Sequence, residues 1–364
     1  MIGKNGMSKR IGFLVAFLGI NMLLSLFLEP ANGASEAMWK GYYAEENLDM
    51  IFVGSSLCQG AFAPYIFDER LGVNSYNMGT PLQAVPQSVR AIEVALENHD
   101  IKTVIYGVGF STIKYEGMME AELTFEKART REKGGIEGVV KSAQYLLSEE
   151  IRIDEKSINY LFPWLYNRED LSLSGITRNV NLKIAKVKER YAQEATAGNS
   201  KKGFVNYPGV VFNYDNVWET NSDRYYGNDL NAEMMKSLED MMILCNDNGV
   251  ELIIINTPHP FFDVVACYEY YEQNQNEVIA LCEQYGVDYY DFSLAKPEIF
   301  DVKSEYYSDY EHLNLEGAEA FSEQLCEFLL RRECEENMDA YFYSVDEFLD
   351  IYATWLDDWK TYYW

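Results

Sequence analysis

Ser56 stands in Gly54-Ser55-Ser56-Leu57, directly after the apolar run Met50-Ile51-Phe52-Val53. A serine at a strand-to-helix turn is exposed and sits near the positive end of a helix, which stabilises a developing oxyanion. The same residues would serve equally as a helix N-cap. A serine nucleophile needs a base, usually histidine, and the chain has three. His99, between Asn98 and Asp100, reads as a surface helix end. His259, in Thr257-Pro258-His259-Pro260, follows a strand and could face the same edge as Ser56. His312 lies in Ser308-Asp309-Tyr310-Glu311-His312-Leu313-Asn314, with a carboxylate three residues before it. Within one loop turn, that spacing lets Asp309 orient the imidazole, fix its tautomer and stabilise the imidazolium. The competing reading is that Asp309 and Asn314 cap the following helix.

The elements that must position these residues alternate along the chain. Apolar runs at 50–53, 73–78, 103–108, 250–255 and 287–292 read as strands, several of them ending in glycine or proline. Helical patterns lie at about 84–98, 231–247, 274–285 and 315–331. Short continuous apolar strands separated by helices predict a parallel sheet covered on both faces. Five of them predict a three-layer α/β fold of flavodoxin-like order, with sites at the carboxyl ends of the strands. Residues 112–230 interrupt the pattern and read as a helical insertion or cap. Within it, Leu161-Phe162-Pro163-Trp164-Leu165-Tyr166 reads as an apolar packing anchor. Residues 335–364 read as an acidic, aromatic helix packed on the domain, with Phe348, Ile351, Tyr352, Trp355 and Trp359 at helical spacing. A sugar-stacking surface is the other use such aromatics have.

With 364 residues and 48% hydrophobic content, the chain can build a large core. Its net charge of -28 argues against nucleic acid as a partner, since phosphates would be repelled. The six cysteines form no CxxC pair and read as free, mostly buried thiols, neither a disulfide framework nor a zinc site. No metal or other cofactor is expected.

Lys4, Lys9 and Arg10 precede an apolar run from Ile11 to Leu28, broken only by Asn21 and Ser25. Such a run nearly spans a bilayer as a helix. The flanking charges put the N-terminus in the cytoplasm and the rest outside. Residues 1–34 are therefore expected to be a cytoplasmic stub with a single-pass anchor, and 35–48 a linker to the domain at 49–334. Ala31-Asn32-Gly33-Ala34 offers a cleavage site, in which case the domain is secreted.

The two chemical blocks resemble the SGNH/GDSL hydrolase superfamily. Gly54-Ser55-Ser56 matches its nucleophile block and Asp309-Tyr310-Glu311-His312 its Asp-x-x-His block. Ser75-Tyr76-Asn77-Met78-Gly79 matches the block whose glycine N–H joins the oxyanion hole. The resemblance spans roughly residues 48–111 and 245–330, in the family's order. It implies Ser56, His312 and Asp309 as nucleophile, base and orienting acid, with the N–H groups of Ser56 and Gly79 as oxyanion donors. Two departures stand out. Ser55 replaces the usual aspartate. The third block, Tyr106-Gly107-Val108-Gly109-Phe110-Ser111, lacks the asparagine that supplies another donor. Loss of one donor typically costs ~100- to 1000-fold in rate, so either a substitute or reduced activity is implied. Asn77, Ser111 and His259 are the candidate auxiliaries.

The anchor, the Gly-Ser-Ser block, the missing asparagine and the insertion resemble a narrower group. These are the membrane-tethered SGNH-like proteins of cell-envelope acylation, such as the D-alanyl-lipoteichoic acid and alginate-acetylation types. That resemblance implies esterase or O-acyltransferase action on a surface glycan or teichoic acid through an acyl-Ser56 intermediate, beside a membrane-bound O-acyltransferase. The alternative is a non-catalytic partner subunit of that acyltransferase. A glycan-binding protein that uses the C-terminal aromatics is a third reading.

Overall fold

The computed structural model describes residues 4–28, 33–114, 117–147, 158–159, 161–162, 164–165, 172–195, 202–207, 229–334, 337–355 and 357. In chain order the elements are α1 (Lys4–Leu28), α2 (Ala34–Tyr42), β1 (Met50–Gly54), α3 (Ser56–Ala61), α4 (Pro64–Leu71), β2 (Ser75–Asn77) and α5 (Val85–Asn98). Then come β3 (Thr103–Val108), α6 (Phe110–Lys114), α7 (Met119–Lys133), α8 (Gly135–Leu147) and α9 (Leu173–Ala195). The chain continues through α10 (Ala232–Asp247), β4 (Glu251–Asn256), α11 (Phe261–Ala266), α12 (Tyr268–Tyr285), β5 (Asp288–Asp291), α13 (Leu315–Arg332) and α14 (Val345–Ile351).

The chain divides into two units. The larger, Lys40–Glu122 with Lys201–Trp364, holds the sheet. Its five strands are all parallel, in the order β2-β1-β3-β4-β5. This is the expected flavodoxin-like order, whose chain reversal falls between β1 and β3. β-branched and aromatic side chains drive it: Ile51, Phe52, Val53, Val104, Ile105, Ile254 and Ile255 are fully or almost fully excluded from water. On one face, Phe52 and Ile105 pack with Phe62 and Phe67 near α3 and α4 and with Phe321 and Phe328 of α13. Each such ring contributes about 2 kcal/mol from burial alone.

Glycines at the strand ends decide how closely α3 approaches. Gly54 has a φ of +146°, and a Cβ there would lie 2.4 Å from the Gly107 carbonyl oxygen and 2.8 Å from Cys58 Cβ. Gly54 and Gly107 are register partners on β1 and β3. With no side chain on either, Cys58 of α3 seats against the strand ends, and the turn carrying Ser56 follows at the sheet edge.

The smaller unit is Met1–Trp39 with Leu123–Ser200. Here the apolar anchor of the insertion packs on α1. Phe162 meets Phe17 edge-on at 5.8 Å. The Trp164 indole N–H donates to Asn21 Oδ1 at 2.7 Å, and Asn21 Nδ2 donates to the Leu161 carbonyl. Pro163 and Tyr166 of that anchor lie outside the described residues. The Lys183 ammonium of α9 donates to the Ser25 carbonyl. The Asn21 side chain and the Ser25 backbone carbonyl, one turn apart, thus both take partners from the insertion. Among the described residues no helix is long and apolar enough to cross a membrane. Leu26, within α1, is outside the residues whose side chains are described.

Two stretches differ from their sequence reading. The expected linker 35–48 is helical as far as Tyr42, because Met38, Trp39 and Tyr42 fall on one helical face and are buried. The C-terminal stretch starts as a 3-10 turn at Met338–Tyr341, and α14 begins only at Val345 under a Ser344–Glu347 capping box. Val345 and Phe348 are buried beside Val264 and Val265, Tyr352 stacks on Phe261 at 4.4 Å, and Trp355 meets the same ring edge-on. These aromatics are spent on packing. Ile351 instead faces solvent, and Trp359 lies outside the described residues. The six cysteines are unpaired. Cys58, Cys245, Cys282 and Cys326 are buried, Cys267 is half-buried and Cys334 is exposed.

Candidate active site

Ser56 opens α3 immediately after β1. Ser55, not Ser56, caps that helix: its hydroxyl accepts from the Leu57 N–H at 3.3 Å. Ser56 Oγ is thereby left to other partners. His312 arrives from the loop before α13. A bridge between Tyr307 and Leu313 closes that loop, and the Ser308 N–H and hydroxyl both donate to the His312 carbonyl. The result places His312 Nε2 2.8 Å from Ser56 Oγ.

Asp309 does not cap α13; Asn314 does, accepting from the Gly317 N–H. Asp309 Oδ2 lies 2.9 Å from His312 Nδ1, while Oδ1 accepts the Glu311 and His312 backbone N–H groups at 2.9 and 2.7 Å. Burial pushes the Asp309 carboxyl upward, but the bonds from the His312 ring and the two backbone N–H groups outweigh it and hold the group below its ordinary value. An ionised Asp309 fixes the proton on Nδ1 and leaves Nε2 as an acceptor for the Ser56 hydroxyl. Serine, imidazole and carboxylate so aligned are equipped for nucleophilic attack with general-base assistance.

The other expected site residues divide. Asn77 is fully buried and committed: its Nδ2 donates to the Cys58 and Phe62 carbonyls, and its Oδ1 accepts from Gly79 N–H at 2.9 Å. Asn77 therefore has no donor left for an oxyanion, and Gly79 spends its N–H inside the same turn. In this arrangement neither group is offered to an oxyanion, because the Asn77 side chain closes the turn two residues ahead of Gly79. Ser111 is exposed on α6, beyond Gly109. His259 does reach the neighbourhood. A Cβ on Gly109 would lie 2.6 Å from Leu57 Cδ1 and 3.5 Å from His259 Cε1, so this glycine is what lets β3's end pass between them. His99 ends α5, where its Nδ1 accepts from the Leu48 N–H.

Behind His259 stands a buried polar chain. Asp291, at the end of β5, accepts from Asn256, Tyr271, Gln275 and the Ser293 N–H. Ser293 Oγ in turn donates to the Thr257 carbonyl, accepts the His259 N–H, and lies 3.5 Å from His259 Nδ1. Burial and the nearby His312 push the His259 imidazole down to about 4, against an ordinary value of ~6.5. Between those values the unfolded chain binds a proton that the folded chain refuses, so stability falls as pH drops through this window. The slope is about 1.4 kcal/mol per pH unit at most, and on the order of 2 kcal/mol in total for a half-buried ring. Thermal melts of wild type and His259→Gln between pH 7 and 4 should show the variant losing less stability on acidification. Parallel curves would remove His259 as the cause.

One residue of the site was not anticipated. Tyr207 stacks on the His312 imidazole with ring centroids 4.5 Å apart and planes 22° from parallel. It arrives on an extended strap, residues 202–207, that lies across α3 and the end of β2. The Asn77 N–H donates to the Lys202 carbonyl, the Val205 N–H donates to the Gln59 carbonyl, and Tyr207 pairs with Asn314. Lys202 binds Asp68 and Asn74, and Phe204 is buried in the core. Gly203 has a φ of +83°, and a Cβ there would lie 1.8 Å from the Asn77 carbonyl oxygen, so only glycine lets the strap lie this close. The sole local sign is Gly203-Phe204-Val205-Asn206-Tyr207, an aromatic pair closing a polar stretch.

Comparisons with known proteins add little. A protein from Bacteroides fragilis NCTC 9343, provisionally described as an acylhydrolase, is 9% identical, with a TM-score of 0.38 over 83% of this chain and 98% of its own. Another, from Streptococcus pneumonia and provisionally described as a platelet activating factor, is 12% identical, with a TM-score of 0.33 over 87% and 98%. At these scores neither likeness bears on the chemistry of this chain. No protein-family model and no curated protein matches it.

Proposed function

We propose that the chain is an SGNH-type serine esterase or O-acyltransferase that works through an acyl-Ser56 intermediate. The observation that carries this reading is the continuous relay from Ser56 Oγ through His312 to Asp309, at 2.8 and 2.9 Å. In the reaction Ser56 Oγ bonds to the ester carbonyl carbon and its proton passes to His312 Nε2. The carbonyl pair moves onto oxygen, then returns and expels the alcohol, which takes the proton from His312. Water or a sugar hydroxyl then attacks the acyl-serine by the same steps in reverse order. Hydrolysis and transfer differ only in that second acceptor.

The substrate class, an acylated cell-surface glycan or teichoic acid, and the partner, a membrane-bound O-acyltransferase, follow from the sequence resemblance. The charges before the apolar run make α1 the tether, with the sheet-bearing part of 49–334 outside the membrane, while the insertion segments that hold Asn21 and Ser25 lie with α1. Support for the tether is the apolar surface that α1 leaves open, including Phe13 at 73% and Met22 at 72% exposure. Full-length chain should stay in the pellet after alkaline washing of membranes, and its release would remove the tether.

The enzymatic reading is tested by intact-protein mass of the full chain after incubation with p-nitrophenyl acetate. An acetyl adduct that disappears in Ser56→Ala supports it. A folded wild type that forms no such adduct and releases no acetate leaves the non-catalytic partner subunit as the better reading.

A further inference from the structure

The reading of Ser56 as an acyl carrier leaves a deficit at the developing oxyanion. The third-block asparagine is absent, Asn77 has spent both amide protons, and Gly79 N–H is bonded to Asn77. A site with the Ser56 N–H alone would lack a donor whose removal typically costs ~100- to 1000-fold. The strap of residues 202–207 brings one. Tyr207 lies flat against His312, whose Nε2 touches Ser56 Oγ. Its hydroxyl lies 3.4 Å from Gln59 Oε1, and Gln59 is one turn along α3 from Ser56. Ring and hydroxyl together span from the base to the nucleophile's own helix face.

We propose that the Tyr207 hydroxyl is the second oxyanion donor of the Ser56 site, supplied by the insertion in place of the missing asparagine. This rests on the acyl-Ser56 reading above. As the Oγ–carbon bond forms and the Ser56 proton moves to His312, the carbonyl π pair becomes an oxyanion. The Tyr207 O–H then turns from the long Gln59 contact to that oxygen, donating a hydrogen bond without giving up its proton. It keeps that proton at neutral pH. Burial raises its pKa, the neighbouring Asp309 and Glu311 carboxylates add to the rise, and the Ser56 contact only partly offsets them, leaving it at about 12. The seating is specific to the strap: Tyr207 packs on Gly60, where a Cβ would lie 2.7 Å from its ring.

The test compares wild type and Tyr207→Phe, as full-length chains, on p-nitrophenyl acetate and its thionoester counterpart. Phenylalanine keeps the stack on His312 and removes only the hydroxyl, and matching thermal melts show that the fold is kept. The oxoester kcat/KM should fall about 100-fold. The thionoester should fall far less, because its sulfur is a poor hydrogen-bond acceptor, so the preference for oxygen shrinks. The acid limb of the pH–rate profile should stay in place. Equal losses on both esters, or a displaced pH profile, would make Tyr207 a positioning residue for His312 and overturn the inference. An unchanged oxoester rate would overturn it as well, with Ser56-dependent turnover still intact. Wild-type turnover equal to that of Ser56→Ala would instead sink the serine reading, and the Tyr207 inference with it.

Discussion

Ser56→Ala should lower the turnover of p-nitrophenyl acetate by on the order of 10⁶-fold, and His312→Ala by a similar factor. The double variant should be no worse than either alone. The reason is geometric. His312 Nε2 has Ser56 Oγ as its partner at 2.8 Å, so the imidazole removes a proton from one oxygen only, and that oxygen is inert without it. Each residue is useful only through the other, and losses of that kind do not add. Ser56 and His312 are both only half-buried, so both variants should melt close to wild type. Kinetics under saturating ester, paired with the mass of the acyl adduct, check this. Additive losses would mean that the two residues act in separate steps, and the relay would have to be abandoned.

Asp309→Asn should cost about 10⁴-fold in kcat with little change in stability. The asparagine oxygen can keep the Glu311 and His312 backbone N–H bonds that Asp309 Oδ1 now accepts. Its amide nitrogen then occupies the place of Oδ2, facing His312 Nδ1. Two donors cannot face each other there, so the imidazole moves its proton to Nε2. Nε2 then donates toward Ser56 and cannot take a proton from it. The loop survives and the base is lost. Steady-state kinetics at neutral pH, set beside a thermal melt, separate these effects. A loss of only a few-fold would show that the carboxylate merely shapes the loop.

These expectations differ in how far they can be read along the chain. The nucleophile turn is local: an apolar strand, a glycine with a φ that side chains avoid, then two serines before a helix. The Asp309–His312 pairing is local too, since one loop turn covers their spacing. Tyr207 is not local. Its role depends on a strap whose course is set by contacts at Asn77, Gln59 and Asn314, each far from Tyr207 in the chain. Gly79 shows the opposite case. Its block matches the family pattern, yet a side chain two residues earlier takes the N–H that the pattern assigns to catalysis.

From the sequence alone come the strand positions, the parallel α/β class, the serine turn and the acid–base pair. Each rests on a short-range cause: hydrophobic period, backbone sterics at glycine, or reach within one turn. The tertiary structure alone decided that Ser55 rather than Ser56 caps α3 and that Tyr207 covers the imidazole. Those outcomes depend on strand order and on which backbone groups are already paired, and no local pattern of residues encodes either.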